Sequence, residues 1–241
     1  MKKVTSAALL ALKLTWTIAL LIFLPTAALQ AFFLWRELMP GGVPLQTTFG
    51  FETLVRSTLQ PAGRWWAVNL LIFVGARTAA SKGSKSIYTM NRLGLTELQM
   101  TLVFGLVFTG YFLLYWIFQI ALAYGFFVWY SRFTLVSSNA LMLAVWRSEW
   151  LHTLLPLAEW WGYLRNLAIC GSFGFSAAFG GTLARHGKLP LASLVPPVLC
   201  VFLLSGRIGE PFPDLALTVL LIAFSIGYYF VLKEGADHED L

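Results

Sequence analysis

The chain has 241 residues, of which 58% are hydrophobic and 12% charged, with 20 Phe, 10 Trp and 8 Tyr. Soluble domains carry roughly 45–50% apolar residues, and a fold of this length has too little polar surface to cover the excess. Disorder and nucleic-acid binding are excluded by that hydrophobicity and a disulfide scaffold by the presence of only 2 Cys, which leaves an all-α polytopic membrane protein in contact with the lipid bilayer.

A membrane helix needs roughly 20 mostly apolar residues. The first such run covers residues 14–34, behind Lys2, Lys3 and Lys13. A charged start before an apolar stretch also suits a signal peptide, but the run is too long for a signal's apolar core. Residues 3–13 are expected to form a short interfacial helix leading into it. The second run, 65–80, is short and diluted by Asn69 and Arg77. The third, 100–130, is the longest stretch without a charge. Beyond it, an outer interfacial helix is expected after Ser137, Ser138 and Asn139, which are good N-caps. Trp146, Trp150, Trp160 and Trp161 suit the headgroup level there. The fourth run, 164–183, is rich in Gly and carries Arg165 at its start. The fifth, 189–204, has Pro196 and Pro197 in its middle, which predicts a bent or re-entrant helix. The sixth, 215–232, is followed by Lys233 and an acidic tail. Cys170 and Cys200 lie inside apolar runs and read as small buried hydrophobes, with a disulfide or metal pair as the alternative.

Six spans put both termini on one side. The net charge, 17 bases less 11 acids, then tests the topology. All seven Lys, with Arg77, Arg92 and Arg185, fall on the side of the termini. Arg36, Arg56, Arg64, Arg132, Arg147, Arg165 and Arg207 fall on the other. With five and six acids respectively, the two sides carry net charges of +5 and +1. Lys and Arg collect on the cytoplasmic side, so both termini are expected in the cytoplasm and the protein in the plasma membrane. The whole chain, 1–241, forms a single transmembrane domain on this reading.

Enzyme signatures are missing from the sequence. It has no HExxH, and Glu149 with His152 supplies only one of the two i, i+3 pairs that a di-iron bundle uses. No Ser/His pair shares a leaflet and no Asp pair lies within the runs. Gly83-Ser84-Lys85-Ser86 only approaches a phosphate loop, because Lys does not directly follow Gly. No catalytic, metal or cofactor site is therefore expected on this chain. The six runs contain no Asp or Glu, which disfavours a carrier driven by protons. Arg77 and Arg165 lie near run ends, where they are expected to snorkel.

The loop between the second and third runs has a specific grammar. Ser84 or Ser86 can cap a short helix. Ile87, Met90 and Leu93 recur at spacing three and form one apolar stripe. Gly94 is placed to end the helix, and Thr96-Glu97-Leu98-Gln99 reads as a capping box that opens the next. A helix over about 86–93 is too short to be stable alone and must be docked, on the membrane surface or on another protein.

The stretch Ser86 to Thr96 resembles the coupling helix of ABC transporter permeases of the type-2, exporter-like class in Gram-positive bacteria. Tyr88, Met90, Arg92 and Leu93 fall on that family's pattern, and Gly94 stands where the pattern has Pro. The layout of six spans with cytoplasmic termini is similar too. The resemblance implies a permease subunit that pairs as a homo- or heterodimer. Each copy docks a cytoplasmic ABC ATPase subunit through Ile87, Tyr88, Met90, Arg92 and Leu93. ATP and Mg belong to that partner. Drugs, peptides and lipids are the implied substrates, moved outward. A stand-alone membrane sensor or immunity protein, and an integral membrane enzyme, are the alternatives.

The fourth run offers small residues four apart: Gly174 with Ala178, Ser176 with Gly180, and Ala177 with Gly181. Small residues let membrane helices approach closely. Gly174, Ala178, Gly180 and Gly181 are candidates for helix packing, either within the chain or across a dimer.

Overall fold

A computed structural model describes residues 2–38, 60–80, 92–133, 149–156, 160–204 and 211–239. The described residues form helices and connecting turns. They comprise α1 (Lys2–Leu38), α2 (Gln60–Ala80), α3 (Glu97–Phe133), α4 (Glu149–Leu154), α5 (Trp160–Arg185), a 3-10 helix (Pro190–Leu194), α6 (Val195–Leu204) and α7 (Pro211–Glu239).

Four stretches are long and apolar enough to cross a bilayer: Lys3–Leu38, Glu97–Arg132, Trp160–Arg185 and Asp214–Lys233. Their surfaces fit that solvent. In the first half of α1 the small residues Ala7, Ala11 and Ala19 are buried at 5% exposure or less, while Leu9, Leu21 and Leu24 are 63–71% exposed. In water this pattern would be inside out; in lipid it lets helices approach closely while large side chains meet acyl chains.

The remaining spans expected from sequence differ in kind. The second is a 21-residue helix, but Arg64, Asn69 and Arg77 leave it outside the apolar class. The fifth does not form one helix. Residues 190–194 wind as a 3-10 turn and only ten residues, Val195–Leu204, continue as α6. Pro196 and Pro197 thus fall in the first turn of α6, where their missing N–H groups have no intrahelical partner to lose. The change from 3-10 to α winding lies just before the prolines expected to bend this run. The separate lead-in helix over 3–13 is instead the first part of α1, which passes Pro25 without ending.

Pairings between helices give their directions. Thr15 meets Tyr111, Phe23 meets Phe118 and Gln30 meets Gln119, so α1 and α3 run parallel. Thr182 meets Thr101 and Tyr163 meets Trp116, so α5 runs against α3. Helix α2 also runs against α3, with Gly75 at Phe108 and the Arg64 carbonyl at Tyr115. Helix α7 follows α5, with Asp214 at Arg165 and Tyr228 at Phe179. Because α5 ends opposite to where α7 begins, the connection carrying the 3-10 turn and α6 returns along the bundle. Lys2 and the C-terminal part of α7 lie at the same end, the end of Glu97.

The small residues of α5 pack inside the chain. A Cβ on Gly174 would collide with the side chain and backbone of Thr109 in α3. One on Gly181 would collide with Ala79 of α2, and one on Gly180 would come within 2.9 Å of Ser193 in the 3-10 turn. Ala178 is 1% exposed in the same core. Ser176 donates a hydrogen bond to the Ser193 carbonyl, and Tyr228 donates to the Ala192 carbonyl at 2.9 Å. These two bonds satisfy part of a 3-10 turn whose own hydrogen bonds have poorer geometry than an α-helix.

Candidate functional site

At the end of the bundle away from Glu97, three helix starts bring polar groups together. Arg165 occupies the second turn of α5 and Asp214 the first turn of α7. Arg165 is 2% exposed and Asp214 5%. Arg165 Nη1 donates to Asp214 Oδ2 at 2.7 Å, a charge-assisted bond. Its Nη2 donates to the Thr153 carbonyl at the end of α4, at 3.3 Å, and its Nε to Asn166 Oδ1 at 3.3 Å. Asn166 Nδ2 donates to the same Thr153 carbonyl at 3.0 Å. From α2, Arg64 Nη1 donates to Thr153 Oγ1 at 3.2 Å and lies over the Trp65 ring, 5.6 Å from its centroid. Tyr115 and Trp116 of α3 close the floor: the Tyr115 hydroxyl donates to the Arg64 carbonyl at 3.4 Å, and Trp116 Nε1 to the Leu154 carbonyl at 2.9 Å.

All of these groups except Asp214 line a cavity of about 90 Å³, with Phe112, Phe173 and Gln119 adding to the wall. Gln119 also exchanges hydrogen bonds with Gln30 of α1 at 3.4 and 3.5 Å, both amides being 1% exposed. Among the described residues Arg165 and Asp214 cancel each other, and Arg64 adds one further positive charge to the site. Among the described residues no carboxylate lies within 4 Å of Arg64.

The expectation that Arg165 snorkels is therefore corrected. It points inward because Asp214 supplies a counter-charge there, while Arg77 is exposed and lies over the Phe73 ring. Sequence reasoning missed Asp214 because it stands one residue outside the last apolar run. The available signal was that Arg165 and Asp214 open two runs that start at the same end of the bundle with opposite charges.

The opposite end holds a capped joint. Gly94 has φ +61°, the left-handed value that favours Gly at a helix end. The Thr96 hydroxyl accepts from the Gln99 N–H and the Gln99 side chain accepts from the Thr96 N–H, both at 3.3 Å, so the expected capping box forms. Leu93 and Leu95 pack on the core on either side of Gly94. Glu97, in the first turn of α3, pairs with Arg185 at 3.6 Å and His186 at 3.0 Å, tying α3 to the end of α5. Of the proposed coupling residues, Arg92 is exposed and Leu93 half-buried, whereas Ile87, Tyr88 and Met90 lie outside the described residues.

A second cavity, of about 390 Å³, lies between α3, α5 and α7 toward the Glu97 end, and the buried Ser172 hydroxyl lining it has no hydrogen-bond partner among the described residues. Cys170 and Cys200 are free and buried. Among the described residues no three His, Cys, Asp or Glu side chains are grouped to hold a metal ion.

No protein-family model, curated protein or solved structure matches the chain.

Proposed function

We propose that this chain is the membrane-spanning permease subunit of an ATP-driven ABC transporter of the exporter class, working with separate cytoplasmic ATPase subunits. It crosses the plasma membrane six times with both termini in the cytoplasm, pairs with a second permease copy and moves a drug, peptide or lipid outward. α2 and the 3-10 turn with α6 are the two crossings that single-helix apolarity does not reveal. ATP and Mg act on the partner, and this subunit is not itself an enzyme.

The observation that carries the reading is the joint at Gly94. Leu93 and Leu95 pack on the core, and between and after them a left-handed Gly and a capping box lead into α3. α3 has 37 residues, about 55 Å at 1.5 Å per residue, and lines the Arg64–Arg165 cavity from its middle, through Phe112, Tyr115, Trp116 and Gln119. Such a helix can carry a push on the loop to the other face of the bundle.

Co-purification from native membranes tests the partner, and transport in proteoliposomes tests the energy source. The complex should require ATP and ignore dissipation of ion gradients, and Tyr88→Glu should release the ATPase while leaving the permease folded. A chain that brings no ATPase with it is a stand-alone membrane protein. The buried Asp214 favours one further reading, a carrier driven by an ion gradient. Transport by the chain alone, abolished by a protonophore, would establish it.

A further inference from the structure

We infer that the cavity at Arg64 binds the phosphate of an anionic phospholipid headgroup. Two guanidiniums, Arg64 and Arg165, line this space, and Arg165 is already paired with Asp214 behind the wall. Arg64 is left with a neutral hydroxyl at 3.2 Å and the face of Trp65. A half-buried cation held, among the described residues, by neutral partners gains most from an incoming anion, and a guanidinium fits phosphate bidentately.

Depth comes next. The helix ends around the cavity carry exposed Trp: Trp35 in the last turn of α1 at 45% exposure, Trp66 in the second turn of α2 at 75%, and Trp160 at the start of α5 at 63%. Such a ring marks the membrane–water interface, where headgroups lie. Arg64 stands two residues from Trp66 and reaches across to the end of α4, so its guanidinium is at headgroup depth.

Size and lining complete the case. About 90 Å³ admits one phosphate-sized group and little more, and is smaller than the roughly 150 Å³ cavity that holds benzene. The bulk of the ligand must therefore stay outside, as a diacyl lipid in the surrounding leaflet would. Trp65, Phe112 and Phe173 close the apolar side of the space and keep water from competing for the guanidinium. The inference requires the membrane but not the ATPase, so it stands or falls apart from the transport reading.

The test uses the purified full chain in nanodiscs of phosphatidylcholine doped with phosphatidylglycerol, read by native mass spectrometry of retained lipid and by the thermal midpoint. Wild type should retain phosphatidylglycerol over phosphatidylcholine and melt higher in its presence. Arg64→Gln should weaken that retention by about tenfold, the worth of one charge-assisted contact, and Arg64→Lys should restore part of it. Arg36→Gln, which removes an exposed cation already beside Glu37, should change nothing. Equal retention of the two lipids by wild type, a comparison that does not depend on any variant folding, overturns the inference. So does unchanged preference in Arg64→Gln. Full protection by inorganic phosphate alone, with no lipid preference, reassigns the cavity to a soluble anion and overturns the lipid source.

Discussion

Arg165 and Asp214, 49 positions apart in sequence, meet at 2.7 Å with almost no access to solvent. A pair so buried holds α5 and α7 in register, because either charge left alone carries its full desolvation penalty. Arg165→Leu or Asp214→Leu should each destabilise the chain by about 3–5 kcal/mol, whereas the double substitution should cost much less than their sum. Thermal or denaturant unfolding in detergent, run as a double-mutant cycle, checks this. Additive losses would show that the two residues act separately.

Gly94 tests the resemblance to ABC permeases at its point of departure. The family pattern has Pro there, but a φ of +61° is closed to proline, whose ring fixes φ near −65°. The two residues therefore end the helix differently. Gly94→Asn should be nearly neutral and Gly94→Val should cost about 1–2 kcal/mol. Gly94→Pro should be the most damaging, although it restores the family's residue. A Pro variant as stable as wild type would mean that the joint does not use a left-handed residue.

Gly174 offers a packing test with a built-in control. Its Cβ position is filled by Thr109, backbone included, whereas a Cβ on Gly171 meets nothing within 4 Å. Gly174→Ala should cost about 1–3 kcal/mol by overpacking, and Gly171→Ala should be tolerated. Matched melting curves for the two variants decide the matter. Equal stability would remove the close approach of α3 and α5.

Topology can be read with a single added thiol. Cys170 and Cys200 are 6% and 0% exposed, so the chain's own thiols form a quiet background. Ala236→Cys should escape a membrane-impermeant maleimide in intact cells and react once the membrane is opened. Labelling in intact cells would put the C-terminus outside and reverse the assignment drawn from the lysines.

What the sequence carried and what it withheld divide along physical lines. The apolar excess names the solvent, and a run such as 100–130 announces α3 because lipid demands length and apolarity together. Gly94 and the Thr96/Gln99 box were legible because turn and cap chemistry is local. The course of residues 190–204 was not, since two prolines fix where a helix cannot continue but not whether the break precedes or follows them. Arg165 misled for a different reason. Whether a guanidinium turns toward the interface or the core depends on a counter-charge, and Asp214 is distant in sequence. Arg64 and Thr153 join the same cluster from helices α2 and α4, which no periodicity connects to it.

The interlocking glycines set which parts of the bundle can move. Thr109 sits in the place of a Gly174 side chain, Ala79 against Gly181 and Ser193 against Gly180, so α5 meshes closely with α3, α2 and the 3-10 turn. Sliding α5 lengthwise past α3 would drive it into the Thr109 backbone. Helix α7 has only 22% of its most apolar stretch buried, but the Arg165–Asp214 pair pins it to α5. Helix α1, 28% buried along its most apolar stretch against 61% for α5, has no such ionic pin among the described residues. Of the long helices, α1 is therefore the one whose displacement costs the bundle least.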